Sequence, residues 1–312
     1  MSGVIGVCSP SFTKNQKLKA LLSEELPQWS VRYCNSPIEM PHADLVHFLA
    51  EADVAIIGKE QIDFQILAKL PNLKAISKYG VGLDNIDTAA CKSHGVKLYH
   101  TPGVNRHAVA EMTVGMMISV LRNISLSNHL LKQGVWRKNG GQQLWGKTVG
   151  IVGCGSIGSE VAKLLRAFDC KVLICDILDK SEFCAGLGVT QVPLDELLGE
   201  SQIVSLHIPL TKETRCLIDK ENLAKMGSNS VLINTSRGEV VDQEHLKQAL
   251  KHETILAAAI DVFTSEPCKD QELLDFSNLL ATPHIAGNAI ESVEAMGLAA
   301  ISGVRHFVLS QN

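Results

Sequence analysis

Three short segments of this chain carry side chains that can move a proton and hold a charge. They are Asn234-Thr235-Ser236-Arg237-Gly238, Asp261-Val262-Phe263-Thr264-Ser265-Glu266-Pro267 and Thr282-Pro283-His284-Ile285-Ala286-Gly287. Each follows an apolar run: Ser230–Ile233, Leu256–Ile260 and Leu279-Leu280 respectively. Ligands of open α/β sheets gather at the carboxyl ends of strands, where these segments are expected to lie. A histidine suits the proton role near neutrality. A carboxylate beside it favours the imidazolium. An arginine grips a carboxylate and polarises a neighbouring carbonyl. Arg237, Glu266 and His284 supply that set, which suits hydride transfer at an oxygen-bearing carbon.

The partner for such chemistry is signalled upstream. Thr148–Val152 is an apolar run of strand length, and Gly153-Cys154-Gly155-Ser156-Ile157-Gly158 follows it. Val161, Leu164, Leu165 and Phe168 then recur at helical spacing. Strand, glycine turn and helix start form the context of a dinucleotide fingerprint. Gly153 allows the tight turn, Gly155 lets backbone approach a pyrophosphate, and Gly158 lets helix and strand pack closely. The helix N-terminus favours the phosphates. Lys171–Cys175 reads as the next strand, and Asp176 ends it 18 positions past Gly158. A carboxylate there accepts from ribose hydroxyls and repels a 2′-phosphate. Ile177 and Leu178 follow without a cation, so NAD is expected rather than NADP.

These segments need a scaffold. At 312 residues the chain exceeds the length at which one core stops growing, so two domains are expected. The glycine loop begins only after about 150 residues, enough for a separate domain. Before it, Val4–Val7, Val54–Ile57, Leu73–Ile76 and Val96–Leu98 read as strands among helical patterns, a small parallel α/β layer. Asn105 can cap one long helix reaching about Lys132, with Val109, Met112, Met116, Val120, Leu121 and Ile124 on its stripe. A last helix, about Ala289–Leu309, has no strand after it and is expected to return to the first domain. The resulting fold class is α/β: a Rossmann-type doubly wound parallel sheet inserted into a second, smaller flavodoxin-like α/β domain. The expected boundaries are 1–103 and 285–312 for the substrate domain and 104–284 for the NAD domain.

Composition narrows the classes. Net charge is −4 and charged residues make up 20%, so nothing points to nucleic acid or a membrane surface. No apolar run approaches the roughly 18 residues of a span, and the N-terminus lacks a basic leader. The nine cysteines form no CxxC pair, which argues for reduced thiols in a cytoplasmic protein and against a metal site.

The chain resembles the D-2-hydroxyacid dehydrogenase family over nearly its whole length. The matching stretches are Gly80-Val81-Gly82-Leu83-Asp84-Asn85-Ile86-Asp87, Thr101-Pro102-Gly103-Val104-Asn105 with Val109-Ala110-Glu111, the glycine loop, His207-Ile208-Pro209-Leu210-Thr211, and the three segments above. The resemblance implies that Arg237 binds substrate carboxylate and carbonyl, that Glu266 orients His284, and that His284 is the general acid/base. It places the substrate carboxylate at the backbone of Val81 and Gly82. It implies cofactor contacts for Gly153, Gly155, Ser156, Ile157, Gly158, Asp176, Thr235, Ser236 and Gly287, with His207, Ile208 and Pro209 as cofactor wall. Asp261 is expected at the nicotinamide carboxamide. Within the family the chain looks most like a short D-3-phosphoglycerate dehydrogenase without the C-terminal regulatory domain. Lys59 and Lys78 match segments where those enzymes commonly use Arg, and are expected to face the substrate's phosphate. Alternatives are a reductase of glyoxylate, hydroxypyruvate or another D-2-hydroxyacid, and, from another class, an NAD-sensing corepressor-like interaction protein. The expected partners are a small 2-hydroxy or 2-keto acid and a second copy in a homodimer, the long helix being a candidate dimer element as in relatives.

Overall fold

The computed structural model describes residues 2–35 and 40–311. The chain forms two compact units, Met1–Asn105 with Ala289–Asn312, and Arg106–Asn288. The junctions fall where the helices Arg106–Leu121 and Ile290–Leu309 begin.

In the first unit, β1 (Val4–Val7), β2 (Ser30–Tyr33), β3 (Val54–Ile57), β4 (Ala75–Lys78) and β5 (Lys97–Tyr99) form a parallel sheet. Their order is β2-β1-β3-β4-β5, the flavodoxin-like arrangement. Every residue of β3 and β4 is buried, as a parallel strand covered on both faces requires. β2 is absent from the sequence reading. It is a half-exposed edge strand without a continuous apolar run, so its pattern carries little signal. Helix Ile290–Leu309 packs on this sheet. Ala300, Val304 and Phe307 join Ile5, Val7, Ile56 and Phe12 in one core. Gly303 is what lets it sit close, because a Cβ there would fall 2.2 Å from Ser77 Oγ. Ser77 in turn donates to the Ala300 carbonyl at 2.7 Å.

The second unit carries β6 (Thr148–Val152), β7 (Lys171–Cys175), β8 (Thr190–Gln191), β9 (Ile203–Leu206), β10 (Val231–Asn234), β11 (Ala257–Ile260) and β12 (Leu279–Ala281). The parallel order β12-β11-β10-β9-β6-β7-β8 reverses direction between β6 and β9. That is the Rossmann order with one further strand, and the reversal is the switch point where ligands bind.

The single helix expected over 105–132 is two. Arg106–Leu121 ends before Asn123, which takes a left-handed φ of 52°, and Ile124–Lys132 leaves at 61°. The returning connection enforces the break: Gln142 N donates to the Leu121 carbonyl at 2.9 Å. Gly141 packs so closely that a Cβ would sit 2.0 Å from that carbonyl oxygen. Asn105 does not cap the first helix, since its Oδ1 is buried without a hydrogen-bond partner among the described residues. Among the described residues no single helix is long and apolar enough to cross a membrane.

Candidate active site

Arg237, Glu266 and His284 follow β10, β11 and β12, which are neighbours in the sheet. Adjacent strands lie about 4.8 Å apart, so residues distant in sequence meet at one sheet end. The Arg237 segment is drawn against the Glu266 segment at Gly238, where a Cβ would fall 2.0 Å from the Phe263 carbonyl carbon. Buried Asn234 shapes the turn: its Nδ2 donates to the Arg237 carbonyl at 2.8 Å, and its Oδ1 accepts from the Ser236 amide and hydroxyl. Arg237 Nη1 donates to the Ser236 carbonyl at 2.7 Å.

His284 Nδ1 lies 2.9 and 2.8 Å from the two carboxylate oxygens of Glu266. The carboxylate accepts, so the ring carries its proton on Nδ1 and leaves the Nε2 lone pair for another donor. Both side chains are about one-third exposed, at 34% and 30%, so the pair is reachable and only partly screened. The His284 backbone takes φ 54°, a conformation costing about 1–2 kcal/mol for a residue with a Cβ.

Asp261 holds that conformation in place. Its side chain is wholly buried. Its Oδ1 accepts from Thr282 Oγ1 at 2.6 Å and Ile285 N at 2.8 Å, and its Oδ2 accepts from Ala286 N at 2.8 Å. The Asp261 carbonyl accepts from His284 N, also at 2.8 Å. The carboxylate is enclosed by the turn that bears His284 and engaged there on both oxygens.

The glycine loop fits NAD. Gly153 takes φ 91° and packs on the His207 carbonyl and Ile208, where a Cβ would lie 2.6 Å from each. At Gly158 a Cβ would fall 2.0 Å from the Gly153 carbonyl oxygen, so the loop tolerates no larger residue. At Gly155 an added Cβ meets nothing within 4 Å, which leaves an open cradle at the start of helix Ser156–Arg166 for a pyrophosphate. Ser156 is exposed there, while Ile157 packs on the core. Asp176 is half-exposed, with Oδ2 accepting from Cys154 N at 2.6 Å and Oδ1 from Leu178 N at 2.8 Å. A carboxylate has about four acceptor sites, so ribose hydroxyls can still be received. Burial pushes the Cys154 thiol up to about 11, so no thiolate stands beside the phosphates.

His207, the other histidine at a strand end, is a weak base. Burial pushes its imidazole down to about 3, so it is neutral in the working range. Its Nε2 pairs with Ser205 Oγ at 2.8 Å. Thr235 is buried, and its hydroxyl donates to Thr113 Oγ1 at 3.0 Å, because Thr113 itself donates to the Val109 carbonyl. Pro209 is exposed and Gly287 half-buried.

The unit-one residues divide. Lys59 is exposed. Lys78 is 6% exposed, and its Nζ donates to the Gly58 carbonyl at 2.5 Å and to Asn85 Oδ1 at 2.6 Å. Its ammonium is thus engaged by acceptors of its own unit. Val81 and Gly82 are half-exposed.

Fold, glycine loop and the paired His284 and Glu266 side chains fit an NAD-dependent oxidoreductase. Residues 114–286 match the family described as "D-isomer specific 2-hydroxyacid dehydrogenase, NAD binding domain". A glyoxylate reductase of Thermofilum pendens is 44% identical over 247 residues, 76% of this chain and 72% of that protein. A D-3-phosphoglycerate dehydrogenase of Mycobacterium leprae is 33% identical over 91% of this chain, which spans only 56% of that longer protein. The structure of an Aquifex aeolicus D-lactate dehydrogenase, complexed with NAD and lactic acid, superposes with TM-score 0.86 at 29% identity, covering 98% of this chain and 96% of that one. The chain belongs to the D-2-hydroxyacid dehydrogenase family, oxidoreductases that use NAD and act on CH–OH donors.

Proposed function

We propose that this enzyme interconverts D-3-phosphoglycerate and its 2-keto acid, with Arg237, Glu266 and His284 as the reacting set. The observation that carries the chemistry is the paired carboxylate on His284 Nδ1. It leaves Nε2 to take the hydroxyl proton, and it stabilises the imidazolium that results. Arg237 holds the substrate carboxylate and polarises the carbonyl oxygen. NAD, held by the glycine loop and Asp176, supplies the hydride acceptor. Backbone amides of Val81 and Gly82 receive the carboxylate as well, a role resting on the family resemblance. A homodimer belongs to the same reading. Helix Ile124–Lys132 has no buried residue, and Ile124, Leu131 and Trp136 stand exposed on it and just beyond it.

The phosphorylated substrate is supported by exposed Lys59 and by the phosphoglycerate dehydrogenase relative. A second reading, reduction of glyoxylate or hydroxypyruvate, is favoured by the engagement of Lys78, which removes one of the two expected phosphate cations. Steady-state kcat/KM for 3-phosphohydroxypyruvate and hydroxypyruvate, followed by NADH absorbance, decides between them. A preference of tenfold or more for the phosphorylated acid, lost in Lys59→Ala, supports the first. Equal or inverted preference refutes it and leaves the second.

A further inference from the structure

Lys78 ends β4, and Asn85 lies seven residues on, across the Gly80-Val81-Gly82 turn. Both are buried, as is Glu60 on the preceding connection. Besides the two bonds from Lys78 Nζ, Asn85 Nδ2 donates to the carbonyls of Gly58 at 3.1 Å and Glu60 at 2.6 Å. Glu60 Oε2 accepts from the Gly58 amide at 2.7 Å, which closes the ring of bonds. The main chain reinforces both ends of the turn: Tyr79 N donates to the Ile57 carbonyl at 2.9 Å, and Ile62 N to the Asn85 carbonyl at 2.8 Å. Between these tethers Gly80, Val81 and Gly82 stay half-exposed. Among the described residues nothing hydrogen-bonds the amides of Val81 and Gly82. The lysine stem lies against the turn itself, since a Cβ on Gly80, at φ 128°, would touch Lys78 Cε at 3.4 Å.

A buried ammonium is costly unless its hydrogen bonds are satisfied, and one so engaged is a tether rather than a hand for a ligand. Its charge nevertheless reaches outward. The His100 imidazole is held below its ordinary range first by burial and second by Lys78. A fixed cation behind two unengaged amides favours an anion in front of them.

We propose that Lys78 and Asn85 are positioning residues: they clasp the Gly80–Gly82 turn in the shape that presents its amides to the substrate carboxylate, and Lys78 touches no substrate atom. The proposal rests on the reading that this turn receives the carboxylate. Hydrogen–deuterium exchange and kinetics on the full chain test the two separately. In Lys78→Met, amides over 79–87 exchange at least about tenfold faster, as expected when a charged hydrogen-bond network is lost. KM rises by the same factor, about tenfold, for hydroxypyruvate and 3-phosphohydroxypyruvate, with kcat changed less than about threefold and KM for NAD unmoved. Asn85→Ser, a milder change, gives the same pattern, and the double variant is no worse than the worse single. Unchanged exchange in both variants overturns the clasp. A KM increase confined to the phosphorylated acid also overturns it, because it makes Lys78 a direct ligand. Faster exchange with both KM values unchanged overturns the proposal through the reading beneath it, taking the turn out of the substrate site.

Discussion

Replacing Glu266 by glutamine isolates the charge on the proposed proton-transfer pair while keeping the shape of the side chain. When His284 takes a proton, the imidazolium and carboxylate charge centres are about 4 Å apart, worth about 4 kcal/mol at an effective dielectric of 20. Both groups are about one-third exposed, so solvent screens the interaction to about 2 kcal/mol. Each 1.36 kcal/mol is a factor of ten, so Glu266→Gln is expected to lower kcat about thirtyfold. The amide can also turn its NH2 toward Nδ1, favouring the tautomer with the proton on Nε2, and any such population deepens the loss. NAD affinity, measured by nucleotide fluorescence, stays within twofold, and the melting temperature barely moves. A kcat within about twofold of the parent refutes the reasoning. So does an NAD affinity that falls as far as kcat, since the loss would then come from a disturbed cofactor site.

Two further outcomes follow from the same geometry. Asp261→Asn sets an amide donor against the Thr282–Ala286 turn where three donors now meet a carboxylate, costing about 2–3 kcal/mol. Scanning calorimetry should show melting about 5–10 °C lower, and kcat should fall while NAD affinity holds. An unchanged kcat would show that the turn does not depend on this carboxylate. For His207, held neutral down to about pH 3 in the fold, the unfolded chain binds a proton below about 6.5 that the native state does not. Stability therefore declines as pH falls from about 6.5 toward 3 and is unaffected above that window. His207→Gln should recover up to about 3 kcal/mol at pH 4 in denaturant titrations; parallel curves for parent and variant would refute this.

The glycine loop was readable because each of its positions has a local reason, and the structure gives those reasons distances at Gly153 and Gly158. The candidate residues Arg237 and Glu266 were readable because each follows a buried parallel strand, which appears in sequence as an uninterrupted apolar run, while His284 follows the half-buried edge strand β12 and was legible from its Pro-His stretch. β2 escaped because a half-exposed edge strand lacks that run. The break at Asn123 escaped because it is imposed by residues 141 and 142, which return to the helix end from beyond its reach in sequence.

The amino-acid order by itself determined the reaction class: a dinucleotide loop, an acidic residue ending the next strand, and an arginine, glutamate and histidine at successive strand ends. Those signals are local, and backbone geometry links residue type to position within a few residues. Tertiary structure alone decided how two charged residues are held. The sequence names Lys78 and Asp261 as charged residues near a ligand, and packing buries both and engages them on backbone and side-chain groups from other segments. Burial and hydrogen-bond partners depend on which distant segments the sheet order brings together, and that order is a property of the whole fold.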